Sequence, residues 1–248
     1  LDYIKALGFT AVWITPIVEN CSGLDYHGYH AMNFSKVDKR YESEDVDFQD
    51  LIDEAHARDM KIVLDVVFNH TGNFGEDYLA PMFVKDYING DHEDINSILQ
   101  PHPNTLLDYD AYLQAPGAQQ YQMRLANMKN TDGVNHDTHN YYHHYGHGNW
   151  DTFSSQWMQI AGDCVDLNTE NPYVLEYIVK AYSQYIEMGV DAFRIDTVAY
   201  VTNEWCGEFA DAMYNHAKSL GNDHFYMIGE AWCGRYDAIA RHSKDTTD

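Results

Sequence analysis

The chain has 248 residues and is strongly acidic, with 39 Asp and Glu residues against 15 Lys and Arg and a formal net charge of -24 at pH 7. Nucleic acids and anionic membranes are bound through cationic side chains, so this balance disfavours both as partners. We expect no membrane span in these residues. The four cysteines show no CxxC spacing, which disfavours zinc and leaves disulfides and buried free thiols both open.

The first part of the chain alternates helical and strand patterns. Residues 1–8 have apolar residues at helical spacing and end in glycine, which predicts a short helix. An apolar strand is predicted over residues 10–17. Residues 47–60 carry an apolar face typical of an amphipathic helix, and residues 61–70 form an apolar run that ends in two polar residues.

The last part of the chain repeats this alternation. Residues 171–189 predict a helix with a proline in its first turn, and residues 204–220 predict another. The runs 190–196 and 225–232 are apolar without alternation, which is typical of strands buried on both faces of a parallel sheet. A buried helix is the alternative for each run, but their shortness and β-branched content favour strands. The chain is therefore predicted to be an α/β protein with a parallel sheet or barrel.

A charged pair ends the strand predicted over residues 190–196. Arg194 and Asp196 are two positions apart, so their side chains are expected to point the same way. A neighbouring cation favours the ionised form of a carboxylate, and an ionised carboxylate at a strand's carboxyl end suits a nucleophile in an α/β enzyme. The alternative interpretation is a structural ion pair at a strand end.

Five motifs in one order resemble the α-amylase superfamily of retaining glycoside hydrolases. They are Tyr26–Tyr29 (YHGY), Asp65–His70 (DVVFNH), Asp166–Asn168 (DLN), Asp191–Asp196 (DAFRID) and Gly229-Glu230. Any one of these matches alone is a weak signal. Their common order over residues 1 to 232 makes the resemblance strong.

The resemblance implies a (β/α)8 TIM barrel, of which this chain is expected to hold strands two to five. Residues 1–70 would form the first part of the catalytic barrel and residues 157–248 its continuation. Residues 71–156 would form an irregular inserted domain B after strand three. Their His-rich stretch allows a transition-metal site, although a polar loop facing a sugar cleft is the simpler interpretation. Strand one, strands six to eight and a third catalytic carboxylate in an NHD-like block are expected outside these residues.

The resemblance also assigns the chemistry. Asp196 is the candidate nucleophile and Glu230 the candidate acid/base, since retention needs two carboxyl groups across the scissile bond. Asp65 is expected to order the neighbourhood of Arg194 and not to touch the reacting atoms. The residues implied in substrate binding are His27, Tyr29, His70 and Arg194.

Calcium is the implied metal, because it prefers hard oxygen ligands. The resemblance places its ligands at the side chains of Asn69 and Asp166 and at the backbone carbonyl of Tyr200, with the carbonyl of Trp157 as a further candidate. The alternative for Asp166 is a helix cap. Many α-amylases have Lys-His three and four residues after the nucleophile, where this chain has Ala199 and Tyr200. The subsites for the acceptor sugars are therefore expected to differ.

The sequence thus predicts a calcium-dependent enzyme, extracellular or attached to the cell surface, that hydrolyses α-1,4-glucosidic bonds in starch-like α-glucans with retention. The first alternative is a neopullulanase, a branching enzyme or another transglycosylating relative. The alternative from another class is a carbohydrate-binding protein that has lost catalysis.

Overall fold

The computed structural model describes residues 1–20, 27–72, 114–116, 119, 140–143, 145, 146, 148, 152–161 and 164–231. Most of the predicted domain B lies outside these residues, so the predicted division at residues 70 and 156 stays a prediction. In the described part of the chain, no helix combines the length and apolar character that crossing a membrane requires.

Helices and strands alternate as the sequence predicts. The helices with described bounds are α1 (Asp2–Ala6), α2 (Phe48–His56), α3 (Pro172–Met188) and α4 (Asn203–Ser219). The strands are β1 (Ala11–Ile14), β2 (Val18–Asn20), β3 (Ala31–Val37), β4 (Lys61–Val66), β5 (His70–Gly72), β6 (Cys164–Asp166), β7 (Ala192–Ile195) and β8 (Tyr226–Gly229). Short 3-10 helices cover Lys39–Tyr41, Phe153–Trp157 and Val198–Tyr200.

The central element is a sheet of four parallel strands in the order β1-β4-β7-β8. These are the four strands predicted from the sequence, and the prediction of a parallel α/β sheet is confirmed. Within the described residues the sheet is open and does not close into a barrel. Since consecutive parallel strands are neighbours, their carboxyl ends lie along one edge, where the polar residues of each strand end meet.

The sequence sets the ends of α3. The side chain of Asn171 accepts a hydrogen bond from the backbone N–H of Tyr173, and Pro172 occupies the first turn. Gly189 ends the helix with φ 108°, a left-handed conformation that favours glycine. A Cβ at Gly189 would also lie 3.2 Å from Cγ2 of Ile52 in α2. The chain therefore turns directly from α3 into β7.

One tyrosine of α3 fixes the polar end of β4. Tyr182 is fully buried. Its hydroxyl donates to the backbone carbonyl of Val67 at 2.6 Å and accepts from the backbone N–H of Val67 at 3.0 Å. These bonds satisfy the backbone where β4 has ended, and buried backbone groups need such partners. The chain then reaches Asn69 and His70 in a defined position.

A small antiparallel pair joins two distant motifs. His70 of β5 is the register partner of Asp166 of β6, and the backbone N–H of Leu167 donates to the carbonyl of Asn69 at 2.8 Å. Residues almost 100 positions apart in the sequence thereby become neighbours beside the carboxyl edge of the central sheet.

The first aspartate of the DAFRID motif has a structural role at the other edge of the sheet. Asp191 accepts hydrogen bonds from Nε2 of His56 at 2.9 Å, from Nζ of Lys61 at 2.8 Å and from the backbone N–H of Ile62 at 2.9 Å. Burial opposes the charge of this carboxylate, but these partners lower the pKa of Asp191. Asp191 therefore ties the start of β7 to α2 and β4, away from the catalytic edge.

Candidate active site

The sheet register brings three carboxyl groups to one edge. Asp65 of β4 is the register partner of Arg194 of β7. Just beyond the strands, the backbone N–H of Asp196 donates to Val66 at 2.8 Å, and that of Glu230 donates to Ile195 at 2.7 Å. The predicted nucleophile and acid/base are therefore held by ladder-like bonds at the ends of adjacent parallel strands.

Arg194 connects these carboxyl groups. Its Nη1 lies 2.8 Å from Oδ1 of Asp65 and 2.8 Å from Oδ1 of Asp196. Its Nη2 lies 2.7 Å from Oε1 of Glu230. Burial disfavours the guanidinium charge, but the surrounding carboxylates raise the pKa of Arg194 further above its usual range. One permanent cation thus orients both predicted catalytic groups and not Asp196 alone.

Asp196 is buried, with an exposed fraction of 7%. Burial, the largest influence, raises the pKa of Asp196 to about 6 although Arg194 and His70 favour its ionised form, and a hydrogen bond to Glu230 raises it as well. Desolvation, which the sequence pattern does not reveal, therefore outweighs the neighbouring cations in setting this pKa, and the predicted ionised form of Asp196 still prevails at pH 7.

Asp65 has the ordering role predicted for it. Besides Arg194, it accepts hydrogen bonds from the hydroxyl of Tyr29 at 2.8 Å and from Nε1 of Trp13 at 3.2 Å. Burial raises the pKa of Asp65, and these donors act against that rise. Desolvation and the nearby carboxylate raise the pKa of Tyr29 too, so its hydroxyl remains a donor. The carboxylate oxygens of Asp65 are occupied by these protein donors, which supports an ordering role and not contact with the reacting atoms.

The predicted sugar-binding residues His27 and Tyr29 lie together beside this cluster. Nδ1 of His27 accepts from the backbone N–H of Tyr29 at 3.0 Å, and the ring centroids are 5.7 Å apart. Trp13 was not predicted as a site residue. Its ring centroid lies 5.4 Å from the guanidinium carbon of Arg194. The only signal in the sequence was its position near the end of the first predicted strand.

His70 occupies a different position from the one its predicted role suggests. It is buried, with an exposed fraction of 2%, and its ring nitrogens contact the side-chain oxygen of Asn69 at 2.8 Å and the carbonyl of Tyr29 at 3.0 Å. Burial opposes its charge, but Cys164 and Asp196 raise the pKa of His70 to about 8. His70 therefore supports the wall of the site, and its contact with a sugar stays a prediction.

The predicted calcium ligands converge on the loops at this edge. Asn69 lies next to the strand pair that carries Asp166. The 3-10 helix that ends at Trp157 packs against the one that ends at Tyr200. Among the described residues, no group of three His, Cys, Asp or Glu side chains is placed to hold a metal ion. The predicted calcium ligands are mainly amide and carbonyl oxygens, which do not belong to these four kinds of side chain.

The amide of Asn69 supplies a test of fit. Its Oδ1 accepts from Nδ1 of His70 and from the hydroxyl of Thr197, whereas its buried Nδ2 finds no hydrogen-bond partner among the described residues. In its neutral form, with Nε2–H donating to the carbonyl of Tyr29, the imidazole of His70 can accept at Nδ1, and the hydroxyl of Thr197 can accept as well as donate. Rotating the side-chain amide of Asn69 by 180° would therefore give Nδ2 these two acceptors. The rotation would also turn Oδ1 toward the position where Nδ2 now has no partner. An oxygen at that place suits a hard cation.

Asp166 is buried, and its carboxylate contacts a histidine among the described residues. Its Oδ2 lies 2.7 Å from Nδ1 of His143, whose Nε2 lies 2.6 Å from Oε2 of Glu170. Burial raises the pKa of Asp166 to about 7, although His143 acts in the opposite direction. Burial opposes the charged imidazole too, but the two carboxylates raise the pKa of His143. The predicted cap role for Asp166 is not seen, since Asn171 caps α3.

A parallel α/β sheet whose carboxyl edge holds two carboxyl groups on one arginine has the arrangement that a retaining glycoside hydrolase needs. Residues 1–247 match the family described as "Alpha amylase, catalytic domain", and the chain belongs to this family. Membership implies a (β/α)8 barrel, to which the four described parallel strands correspond.

Relatives and solved structures agree with this assignment. The chain is similar to an α-amylase of Streptomyces lividans, with 32% identity over 94% of this chain and 26% of the relative. It is also similar to a cyclomaltodextrin glucanotransferase of Klebsiella oxytoca, with 27% identity over 94% of this chain and 31% of the relative. The α-amylase of Geobacillus thermoleovorans, solved with acarbose, superposes with a TM-score of 0.63 at 26% identity, covering 97% of this chain and 41% of that one. The chain thus spans about a quarter to two-fifths of these proteins.

Proposed function

We propose that the protein is a retaining glycoside hydrolase for α-glucans, with Asp196 as nucleophile and Glu230 as acid/base. The observation that carries the proposal is that one guanidinium binds both carboxyl groups, with Nη1 of Arg194 2.8 Å from Oδ1 of Asp196 and Nη2 2.7 Å from Oε1 of Glu230. Retaining enzymes separate these groups by about 5–5.5 Å, whereas inverting enzymes leave about 6.5–9.5 Å for a water molecule. Two carboxyl groups bound to the two Nη atoms of one guanidinium support the shorter separation.

The geometry supports a two-step reaction. In the first step, a carboxylate oxygen of Asp196 bonds to the anomeric carbon while the glycosidic C–O bond breaks, and Glu230 gives its proton to the leaving oxygen. In the second step, Glu230 takes a proton from water, and that water oxygen replaces Asp196 on the anomeric carbon. Arg194 holds both groups in line throughout, and Asp65 holds Arg194.

Starch-like α-1,4-linked glucan is the proposed substrate, and the names of the α-amylase relatives support it. Transglycosylation is the second candidate, because cyclomaltodextrin glucanotransferases are also among the relatives and because Ala199 and Tyr200 replace the usual Lys-His pair. We also propose that the protein acts outside the cell, since a polymer as large as starch is encountered there.

The test of the proposed function is incubation of the full-length protein with amylose, pullulan and maltooligosaccharides. Release of reducing ends from amylose supports hydrolysis of α-1,4 bonds, and release from pullulan alone would favour a neopullulanase. Products longer than the substrate, or cyclic products, would assign transglycosylation. Binding without any new product would leave the inactive carbohydrate-binding alternative, against which the intact contacts of Asp196, Arg194 and Glu230 argue.

Calcium is proposed as the resident metal, held by Asn69, Asp166 and the carbonyl of Tyr200. The unpaired amide nitrogen of Asn69 and the oxygen-rich donor set support it. When bound, the ion would supply charge that fixes the inserted loops against the sheet. The chemistry at the anomeric carbon remains with Asp196 and Glu230.

Removal of the metal is expected to lower the melting temperature of the protein by at least about 5 °C, and added calcium is expected to restore it. A ligand that binds only the folded state stabilises that state by mass action. The measurement is a thermal melt with and without excess chelator, after metal analysis of the chelated sample. Asn69→Ala should abolish the response to calcium, whereas Asn222→Ala, a control in the loop after α4, should keep it. An unchanged melt after verified metal removal would eliminate calcium from the proposal.

The pH dependence of the wild-type protein is expected to report the ionisation of the nucleophile. Because burial raises the pKa of Asp196 to about 6 and only its ionised form can attack the anomeric carbon, kcat/KM on a maltooligosaccharide should fall as pH drops through about 6. An aryl glycoside with an activated leaving group still needs the nucleophile, so its kcat/KM should show the same decline at low pH. A decline at low pH that is absent on the aryl glycoside would contradict its assignment to Asp196.

A further inference from the structure

Gly229, the last residue of β8, is itself exposed, but a side chain at this position would be directed at Val198. A Cβ at this position would lie 2.9 Å from Cγ1 and 3.2 Å from Cγ2 of Val198. Favourable carbon–carbon contacts are about 3.5–4.0 Å, so one of the two residues would have to move. Because Gly229 is in a regular strand and its φ is not positive, the need for glycine comes from space alone.

Val198 cannot easily move away from a Cβ added at position 229. It is buried and belongs to the hydrophobic core, and its β-branched side chain has few rotamers. The preceding residue, Thr197, has φ 52° in the left-handed region, and its hydroxyl donates to the side chain of Asn69. The turn that follows Asp196 is therefore fixed on both sides of the contact with Gly229.

The same contact is made by residues that are close in the chain to the two catalytic carboxyl groups. Val198 follows Asp196 by two residues, and Gly229 directly precedes Glu230. The backbone N–H of Val198 donates to the carbonyl of Glu230 at 3.1 Å, and the N–H of Glu230 donates to Ile195 at 2.7 Å. These bonds join the chain on both sides of Asp196 to Glu230. A displacement of Val198 from Gly229 would therefore change the position of Glu230 relative to Asp196.

We propose that Gly229 is a positioning residue, whose missing side chain lets Val198 pack against the end of β8 and thereby sets the separation of Asp196 and Glu230. The inference rests on the proposed function, since it concerns the spacing of the two groups assigned to retaining hydrolysis. It adds a residue that touches neither substrate nor reacting atoms but determines whether the acid and the nucleophile act together.

The experiment compares G229A with the double variant G229A/V198A in the full-length protein. G229A is expected to lower kcat per folded molecule at least about 10-fold on amylose with KM changed less than about 3-fold, because small displacements of catalytic groups lower rates strongly. Val198→Ala removes both atoms that the new Cβ would meet, so the double variant should recover at least about a third of the V198A rate. G207A is the matched control, since Gly207 lies in α4 with nothing within 4 Å of its Cβ position; its kcat should be unchanged.

Two results would overturn the inference: a G229A variant that keeps more than half of the wild-type kcat, or a loss that V198A does not relieve. If G229A alone is insoluble, the double variant still decides, because recovery of soluble, active protein requires the proposed contact. If the wild-type protein turns over no α-glucan, the proposed function fails by itself. The contact between Gly229 and Val198 is then tested by thermal melts. G229A should lower the melting temperature, and the added V198A substitution in the double variant should restore it.

Discussion

Asp196→Asn in the full-length protein is expected to lower kcat on soluble starch by at least about 1000-fold. An amide is a poor nucleophile, and loss of a nucleophile typically removes several orders of magnitude in rate. Such a loss corresponds to about 4 kcal/mol of transition-state stabilisation. The substituted side chain keeps the shape of Asp196 and an oxygen that can accept from Arg194, so its neighbours have no reason to move.

The same substitution is expected to leave the melting temperature at pH 7 unchanged or to raise it. The pKa of Asp196 is raised in the folded protein, so its ionised form destabilises the fold at pH values above the pKa of the unfolded chain, and this effect is absent at lower pH. A neutral amide removes that effect. Asp223→Asn, at an exposed turn, is the control for both measurements. An Asp196→Asn variant that keeps more than about a tenth of the wild-type kcat would contradict the assignment of the nucleophile.

Local patterns in the sequence were sufficient to predict the central elements. The apolar runs became β1, β4, β7 and β8. The inner strands β4 and β7 are largely buried, as such runs predict, whereas the outer strands β1 and β8 are largely exposed in the described part of the chain, where the sheet is open. The ends of α3 followed from Pro172 and Gly189, whose backbone preferences act locally. The pairing of Arg194 with Asp196 also followed from strand periodicity. Each of these predictions depends on residues that are close together in the chain.

The remaining features depend on contacts between distant residues, which periodicity does not reveal. Trp13 reaches Asp65 across 52 positions, and Arg194 reaches Glu230 across 36. The burial of His70 depends on the pairing of β5 with β6, which the sequence pattern does not reveal. Desolvation of Asp196 likewise arises only from the packed structure, so the sequence could not show that burial raises its pKa.

The second large effect concerns Glu230→Gln, for which we expect a loss that depends on the leaving group. On a maltooligosaccharide, kcat/KM should fall by about 100- to 10,000-fold, because the leaving oxygen then departs without a proton. On an aryl glycoside with an activated phenol, kcat/KM should fall less than about 10-fold, since such a group leaves unaided. Glutamine can still accept from Nη2 of Arg194, so the orientation of the cluster should be kept.

The variant also separates the two steps of the reaction. Without a base for the second step, Glu230→Gln should release one equivalent of phenol in a burst and then turn over slowly, and azide, which needs no base, should accelerate that slow phase. The decline of the rate below about pH 6 should remain, because Asp196 must still be ionised to attack the anomeric carbon. Glu208→Gln, on α4, is the matched control and should behave as wild type. Equal losses on both substrates, with neither a burst nor an effect of azide, would show that Glu230 is not the acid/base. The ion pair between Arg194 and Glu230 would then have only a structural role.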